Sequence, residues 1–370
     1  MKLREIERLR AYAVIITIMG HIPALAPILP SALTRMIGGV HLFFVISGYV
    51  ISTSFLRTLR QLHGHKRPGA ALKVFYLKRF FRIMPLAATW CLIPLLSCVF
   101  FKDPAGSALM MLREMAAIFT FSYNYAIAYG LSLRFQPYWS LSVEEQFYFI
   151  FPLAMILLPT FRGRMAFALV GMALIALVLR PLIPFHGPTE CLHIFNWYTS
   201  HRTFDCLLAG VALGLLRGER WGASLKNVSK TCLQILAFLS LAAITMLPGL
   251  LPESVGSNGG VVAQWFFSVI LVGLASLDRG FVLEIPGLRR ILEYLGSRSY
   301  AMYLTNTFAI VLLNYVFKNQ QKLFLIPTTF ATTLVLSELS HRLIEQPFIR
   351  WGHRLVGKGF PFNPATHPSI

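Results

Sequence analysis

His21 is the residue whose type and position point most directly to chemistry. It lies in an apolar stretch, since no Asp, Glu, Lys or Arg occurs between Ala11 and Leu29. An imidazole can take up and release a proton near neutral pH. An ionisable side chain within a membrane helix is energetically costly, so its presence there suggests a function. Arg10 precedes His21 by eleven residues, so on a helix both lie on one face, about 16 Å apart. Alternatively, His21 packs structurally and bonds a backbone carbonyl.

Glu144 is a second candidate, within the segment Tyr138–Tyr148 that reads YWSLSVEEQFY. Two adjacent carboxylates near the start of an apolar helix are costly, and helix neighbours point about 100° apart, so the two cannot share one role. Glu144 shares its face with Ser140 and Tyr148. It lies at a depth similar to that of His21, so it can contact the imidazole and fix its tautomer. Alternatively, Glu144 caps or anchors the helix start.

Three cations, Lys78, Arg79 and Arg82, lie just before the apolar segment Ile83–Phe101. Their spacing of three and four residues places them on one helix face. Clustered cations suit a ligand that carries several phosphates, and guanidinium groups can bind each phosphate through two hydrogen bonds. Alternatively, these residues only fix the membrane orientation and bind lipid headgroups.

Two later groups of polar residues could hold a polar substrate. Arg202 and Asp205 are three residues apart at the start of an apolar helix, where we expect them to pair with each other or to hold an acceptor molecule. Ser299, Tyr303 and Asn306 fall on one face of a late helix, so we expect them to line a common surface.

The composition is that of a membrane protein with several spans. Of the 370 residues, 56% are hydrophobic and only 13% are charged. The net charge of +19 does not indicate nucleic-acid binding, because Lys and Arg occur in short clusters between apolar runs. Ser47 and Gly48 are small residues that allow close helix packing. No metal-ligand cluster or glycine-rich nucleotide loop is visible in the sequence.

We predict an all-α polytopic membrane protein with about ten transmembrane helices. Their approximate limits are Leu9–Leu29, Gly39–Leu56, Ile83–Phe101, Tyr138–Leu158, Met165–Leu179, Thr203–Leu216, Thr231–Leu251, Val261–Leu277, Ser299–Phe317 and Leu323–His341. The stretch 109–131 is apolar but carries Arg113, Glu114 and Asn124, so we expect a re-entrant or interfacial helix there.

The distribution of basic residues predicts the orientation. With the N-terminus in the cytoplasm, this count of spans places most of the 34 Lys and Arg residues on the cytoplasmic side. Counting 109–131 as a span would break that alternation. We therefore expect a multi-pass protein of the plasma (inner) membrane with both termini cytoplasmic. We also expect one membrane domain at 1–348 and a short cytoplasmic tail at 349–370.

These segments, in this order, resemble the acyltransferase-3 family of integral membrane acyltransferases. The family pattern has an Arg, ten residues and a His in its first helix, matched by Arg10 and His21. Its further motifs are matched by Phe43–Tyr49, Lys78–Pro85, Trp139–Tyr148, Gly296–Tyr300 and Glu345–Phe348. The family usually has His at the position of Asn306. The matches extend over nearly the whole chain.

The resemblance implies transfer of an acyl group from acyl-CoA, with acetyl-CoA as the expected donor, to a hydroxyl of an extracytoplasmic sugar or polysaccharide precursor. His21 would be the catalytic residue, as general base or as transient acyl carrier. Glu144 would support His21 or the acceptor. The phosphates of coenzyme A would be held by Arg10, Lys78, Arg79 and Arg82. Independently of the resemblance, the residues that we expect to bind the acceptor are Arg202, Asp205, Ser299, Tyr303 and Asn306.

Other functions fit the same residues. The acceptor can instead be a small natural product such as an antibiotic. A protein of another class, a transporter with a polar pathway through Arg10, His21, Glu144 and Asp205, fits the intramembrane charges. A sensor that has lost its activity fits the asparagine at position 306. The partners we expect are acyl-CoA, a hydroxyl acceptor and membrane lipids, without nucleic acid and without a metal.

Overall fold

The computed structural model describes residues 3–22, 38–63, 68–101, 108–129, 135–182, 198–216, 225, 227–250, 259–317 and 324–359. Within these ranges all regular structure is helical, which confirms the predicted all-α class. The helices are α1 (Arg4–His21), α2 (Gly38–His63), α3 (Pro68–Phe101), α4 (Ala108–Phe119), α5 (Tyr123–Ala128), α6 (Tyr138–Leu157), α7 (Phe161–Leu182), α8 (Ser200–Leu216), α9 (Lys230–Leu250), α10 (Gly259–Ala275), α11 (Arg289–Ser297), α12 (Ser299–Val316), α13 (Leu325–Ser340) and α14 (Gln346–Gly359).

Membrane-spanning helices can be assigned from length and apolarity. Five helices in the described part of the chain meet both conditions: Gly38–Leu62, Pro68–Leu96, Tyr138–Leu157, Phe161–Leu182 and Lys230–Pro248. The count of ten is therefore not confirmed. Helices α8 and α10 have 17 residues each and α13 has 16, whereas a helix perpendicular to a bilayer needs about 20 residues to cross its core.

Helix α1 ends earlier than the predicted span Leu9–Leu29. Its last residue is His21, and Ile22 already has extended backbone dihedrals of φ −87° and ψ 104°. In the sequence Ile22 precedes a proline, and a residue before proline is disfavoured in the α region. The part of the predicted span after Ile22 lies outside the described residues. His21 therefore occupies a helix end rather than the middle of a helix.

Where a re-entrant or interfacial helix was predicted at 109–131, the described residues up to 129 form two short helices. Helices α4 and α5 have 12 and 6 residues, and between them Phe121 has a positive φ of 55°. Twelve residues rise about 18 Å, well short of a bilayer core of about 30 Å. The buried Asn124 donates hydrogen bonds to the carbonyl of Tyr198 (3.2 Å) and the hydroxyl of Ser200 (2.9 Å), which tie α5 to the start of α8.

Helix α2 forms the centre of the bundle and contacts α1, α3, α6, α8, α9 and α10. Its contact with α8 depends on glycines. A Cβ added at Gly48 would overlap the carbonyl oxygen of Leu207, and one added at Gly210 would overlap the carbonyl oxygen of Val45. The absence of side chains lets the two backbones approach closely, as the small residues at 47 and 48 predicted.

Gly48→Ala should lower the thermal unfolding temperature of the detergent-solubilised protein by several degrees. The added methyl meets backbone atoms that cannot rotate away, and overpacking of this kind costs about 1–3 kcal/mol. Gly69→Ala is the matched control, because an added Cβ there has no atom within 4 Å. We expect the control to unfold at or slightly above the wild-type temperature. Equal unfolding temperatures for the two variants would contradict the close α2–α8 contact.

Helix α3 begins at Pro68, fifteen residues before the predicted span Ile83–Phe101. Lys78, Arg79 and Arg82 are therefore interior residues of a long helix, which holds their relative positions. Helix α14 packs along α3, with the rings of Phe81 and Trp351 5.1 Å apart. The described part of the predicted tail, up to residue 359, thus belongs to a helix on the surface of the bundle.

Candidate active site

The imidazole of His21 contacts Asn306 of α12, with His21 Nδ1 3.0 Å from Asn306 Oδ1. Helix α12 lies against α1, and its start is placed by α11, whose Gly296 lies against the carbonyl of Glu7. The end of α1 and the second turn of α12 thus meet at this pair. The two polar residues were predicted as parts of separate features, and the structure brings them together.

The orientation of the Asn306 amide determines which nitrogen of His21 carries the proton. Asn306 Nδ2 donates to the carbonyl of Tyr303 at 2.5 Å and to that of Met302 at 3.4 Å. Because the amide nitrogen is occupied in this way, Oδ1 faces His21, and a carbonyl oxygen can only accept. His21 Nδ1 must therefore donate, and Nε2 has the lone pair that can accept a substrate proton.

One turn along α12 from Asn306 lies a narrow cavity, which we call the central cavity, of about 100 Å³. Its walls come from α1, α2, α3, α6 and α12. The lining residues are Arg10, Val40, Phe43, Phe44, Ser47, Arg79, Arg82, Ile83, Ser140, Leu141, Glu144, Ser299, Tyr300, Tyr303 and Leu304. Six residues predicted from the sequence thus line one space: Arg10, Arg79, Arg82, Glu144, Ser299 and Tyr303.

The central cavity contains three guanidinium groups and one carboxylate. Arg10 forms an ion pair with Glu7 at 2.8 Å and lies close enough to Arg79 and Arg82 to be repelled by both. Arg79 lies over the ring of Tyr148, 5.0 Å from its centroid. With Glu7 and Glu144 counted against the three arginines, positive charge is still in excess, and in a low-dielectric interior this favours an anionic ligand.

Glu144 is held by hydroxyl groups and does not contact His21. Ser47 donates to Glu144 Oε1 at 2.9 Å, and Tyr148 donates to Oε2 at 2.7 Å. The His21–Glu144 contact that their similar depths allowed is therefore not formed. The reason is tertiary: α12 supplies Asn306 beside His21, whereas Glu144 faces α2 and the arginines of the central cavity.

Tyr303 joins the predicted face of α12 to the wall of the cavity. Its hydroxyl lies 2.7 Å from the hydroxyl of Ser140, on α6. Ser299 lines the cavity two turns before Asn306. Hydroxyl groups that face a cavity can donate to or accept from a substrate hydroxyl. Of the predicted group, Ser299 and Tyr303 line the central cavity, whereas Asn306 is buried outside its lining and contacts His21 instead.

A second, smaller space, the lateral cavity, lies on the other side of Arg79 and Arg82 and has a volume of about 50 Å³. The arginines line both cavities, whereas Lys78 lines only the lateral one. His353 of α14 also lines the lateral cavity, and sequence reasoning missed it. Residues 346–359 have an amphipathic repeat, which indicates a helix lying against another surface. That repeat could have drawn attention to His353.

Arg202 and Asp205 do not pair with each other. Asp205 Oδ2 accepts a hydrogen bond from Arg180 Nη2 at 2.5 Å, and both side chains are fully buried. Arg202 Nη1 donates to the carbonyl of Arg180, while Arg180 donates to the carbonyl of Arg202. These residues do not line the central cavity, so the described structure gives them a role in joining α7 to α8. The sequence did contain a sign of this ion pair. Arg180 ends an apolar run, and a cation in such a position is expected to pair with a carboxylate.

Comparison with known proteins identifies the family of the chain. A family model described as an acyltransferase domain matches residues 3–339. The peptidoglycan O-acetyltransferase OatA of Listeria monocytogenes is 28% identical over 336 residues, which cover 87% of this chain and 53% of that protein. The O-acetyltransferase OatA of Staphylococcus aureus is 28% identical over 377 residues, covering 97% and 58%. No solved structure matches the chain.

The chain belongs to the acyltransferase-3 family, as its motifs predicted. With its long apolar helices, it is a membrane protein of that family. It spans little more than half the length of these curated relatives.

Proposed function

We propose that the protein is a membrane-bound O-acetyltransferase that transfers an acetyl group from acetyl-CoA to a sugar hydroxyl of a cell-wall polymer. The observation that carries this proposal is the His21–Asn306 hydrogen bond, which leaves Nε2 of His21 as a base. The proposal is also supported by the cationic central cavity, one turn of α12 away from this pair, and by the family to which the chain belongs.

The proposed reaction needs only one base. A hydroxyl is a weak nucleophile at neutral pH, and His21 Nε2 removes its proton while the oxygen attacks the thioester carbonyl. The new C–O bond forms, the C–S bond breaks, and the thiolate of coenzyme A takes the proton from the imidazolium. Asn306 stabilises the required tautomer throughout, in the role that an asparagine can take beside a catalytic histidine.

The donor site is proposed from charge and position. Arg10, Arg79 and Arg82 would bind the phosphates of coenzyme A, with Lys78 at the lateral cavity. Guanidinium groups suit phosphate because they donate two parallel hydrogen bonds. The role of Glu144 would be to position the acceptor, since its carboxylate lines the same cavity.

The acceptor and the orientation are proposed together. The named relatives include a peptidoglycan O-acetyltransferase, and peptidoglycan sugars carry free hydroxyl groups outside the plasma membrane. The positive-inside distribution supports an orientation with the termini, and the end of α2 that carries Arg57 and Arg60, in the cytoplasm. Acetyl-CoA would then enter from the cytoplasm and the acceptor from the opposite side.

The proposal is tested with purified protein in lipid vesicles supplied with acetyl-CoA. The readouts are release of the free thiol of coenzyme A and transfer of labelled acetyl to peptidoglycan fragments. We expect both to require His21, and transfer to require the fragments. Labelled acetyl that never appears on a glycan, with thiol release absent as well, would contradict the proposal.

Asn306→Ala should lower kcat by about 10- to 100-fold while the KM for acetyl-CoA changes little. Without the amide oxygen, both tautomers and several orientations of the imidazole become accessible, and only some have Nε2 ready to accept a proton. Asn306→His, which restores the residue usual in the family, should recover part of the loss. A wild-type kcat in the Asn306→Ala variant would contradict the proposal that Asn306 positions the imidazole of His21.

The affinity for coenzyme A should increase as the pH falls through the range in which His353 takes up a proton. Partial desolvation, followed by the charges of Lys78 and Arg82, lowers the pKa of His353 below its usual value, so the ring is neutral at pH 7. Bound phosphates would offset these cations and raise the pKa, so binding takes up a proton and is favoured at lower pH. Isothermal titration at pH 6 and 7.5 should show a smaller pH dependence for His353→Gln than for the wild type; equal dependence would exclude the effect.

A further inference from the structure

A pocket lined by three arginines lies where the end of α2, the start of α7 and the end of α8 meet. Its volume is about 630 Å³, and its polar lining residues include Arg57, Arg60, Gln61 and Arg164. No carboxylate lines it among the residues that the structure describes. We call it the arginine pocket. None of its lining residues lines the central or the lateral cavity.

The three guanidinium groups are placed to receive an anion. Arg164 is fixed, because its Nε and Nη2 donate to the carbonyl of Met155 at 3.1 and 2.8 Å. Its Nη1 remains available as a donor toward a ligand. Arg57 and Arg60 are exposed, and Arg60 repels Arg164. An anion between them would relieve this repulsion and accept several charge-assisted hydrogen bonds.

The pocket combines these charges with an apolar base and a lipid-facing wall. Leu56 and Leu215 line it beneath the arginines. Its α7 wall continues into a helix with large exposed apolar side chains, among them Val170 at 64% and Leu177 at 74%. Such exposure is expected on a helix that faces acyl chains. The pocket therefore lies at the end of a lipid-facing helix, at the level of headgroups.

We propose that the arginine pocket binds the phosphate of an anionic phospholipid headgroup, with the acyl chains lying along α7. Basic pockets between transmembrane helices on the cytoplasmic side are suited to such headgroups. A soluble phosphate ester shares the phosphate chemistry but would not use the apolar wall. The pocket is also distinct from the two cavities lined by Arg79 and Arg82, since neither Arg57 nor Arg60 lines either of them.

The test uses the full chain in a neutral detergent, with thermal unfolding and native mass spectrometry as readouts. Added phosphatidylglycerol should raise the unfolding temperature by about 3 °C or more, as expected for a ligand that binds only the folded state. Phosphatidylcholine, inorganic phosphate and free coenzyme A are the comparison ligands. Arg57→Gln with Arg60→Gln changes only exposed side chains and should abolish at least half of the shift. It should also reduce the lipid retained in the mass spectrum.

Arg162→Gln is the matched control, because Arg162 is an exposed arginine of α7 that does not line the pocket. We expect it to retain the full shift. A full shift in the double variant would overturn the proposal, and so would an equal loss in Arg162→Gln. A shift with inorganic phosphate or coenzyme A that the double variant loses would assign the pocket to a soluble ligand instead. Neither readout depends on acyl transfer, so failure of the proposed enzymatic function would leave the result interpretable.

Discussion

Replacing His21 by alanine is expected to lower the rate of acetyl transfer by about 10²- to 10⁴-fold, the contribution usual for a general base. The variant should still fold, because His21 ends α1 and its side chain is not part of the bundle's apolar core. Its hydrogen bond to Asn306 is worth only about 1 kcal/mol to stability. The measurement is the initial rate of coenzyme A release and of labelled acetyl transfer in vesicles.

His201→Gln provides the matched control. His201 stacks on Tyr125, with ring centroids 6.1 Å apart, and lines neither the central nor the lateral cavity. We expect transfer near the wild-type rate from this variant and unfolding temperatures within a few degrees for both. Wild-type activity in His21→Ala would end the assignment of His21 as the base. A kcat that falls together with the unfolding temperature would instead indicate a structural role.

Replacing both Arg79 and Arg82 by alanine is expected to raise the KM for acetyl-CoA by about 100-fold or more. Each guanidinium can form charge-assisted hydrogen bonds to phosphate worth about 1.5–3 kcal/mol, and the two side chains act on one ligand. Both line the central cavity from within α3. A double lysine variant should show a smaller increase, because lysine keeps the charge but loses the planar fork. The measurement is the dependence of rate on acetyl-CoA concentration.

The control for this loss of charge is Arg350→Ala with Arg354→Ala, two exposed arginines of α14 that line neither cavity. It removes the same net charge, so it reproduces any effect of long-range attraction on the donor. We expect at most a few-fold change in KM. A similar increase in both double variants would show that the arginines act only through net charge. An unchanged KM in the Arg79→Ala, Arg82→Ala variant would show that these two arginines do not bind the donor and would favour the alternative that they only fix the membrane topology.

Local patterns predicted which residues share a helix face, but not which residues of other helices they contact. The face shared by Arg10 and His21, the cation cluster of α3 and the face of α12 all follow from the period of a single helix. Which helix lies beside which does not follow from that period. Sequence spacing therefore allowed Glu144 as the partner of His21, whereas the packing of α1 on α12 places Asn306 there.

The helix limits also show that local patterns are predictable whereas contacts between distant segments are not. The range of α6 was predicted almost to the residue, because an aromatic and polar segment precedes a continuous apolar run. The start of α3 was missed by fifteen residues, since Pro68–Arg82 is rich in cations and does not look like part of a span. Helix α14 packs against this helix, and that contact is again between distant parts of the chain.

Arg79 and Arg82, which line both the central and the lateral cavity, would also affect the rate of product release. Arg79 and Arg82 would hold the part of acetyl-CoA that does not react, and free coenzyme A keeps all of its phosphates. Binding that is equal for reactant and product does not help the chemical step, and it slows the departure of the product. Accumulated coenzyme A would therefore compete with fresh donor, and the supply of acetyl-CoA relative to free coenzyme A would set the working rate.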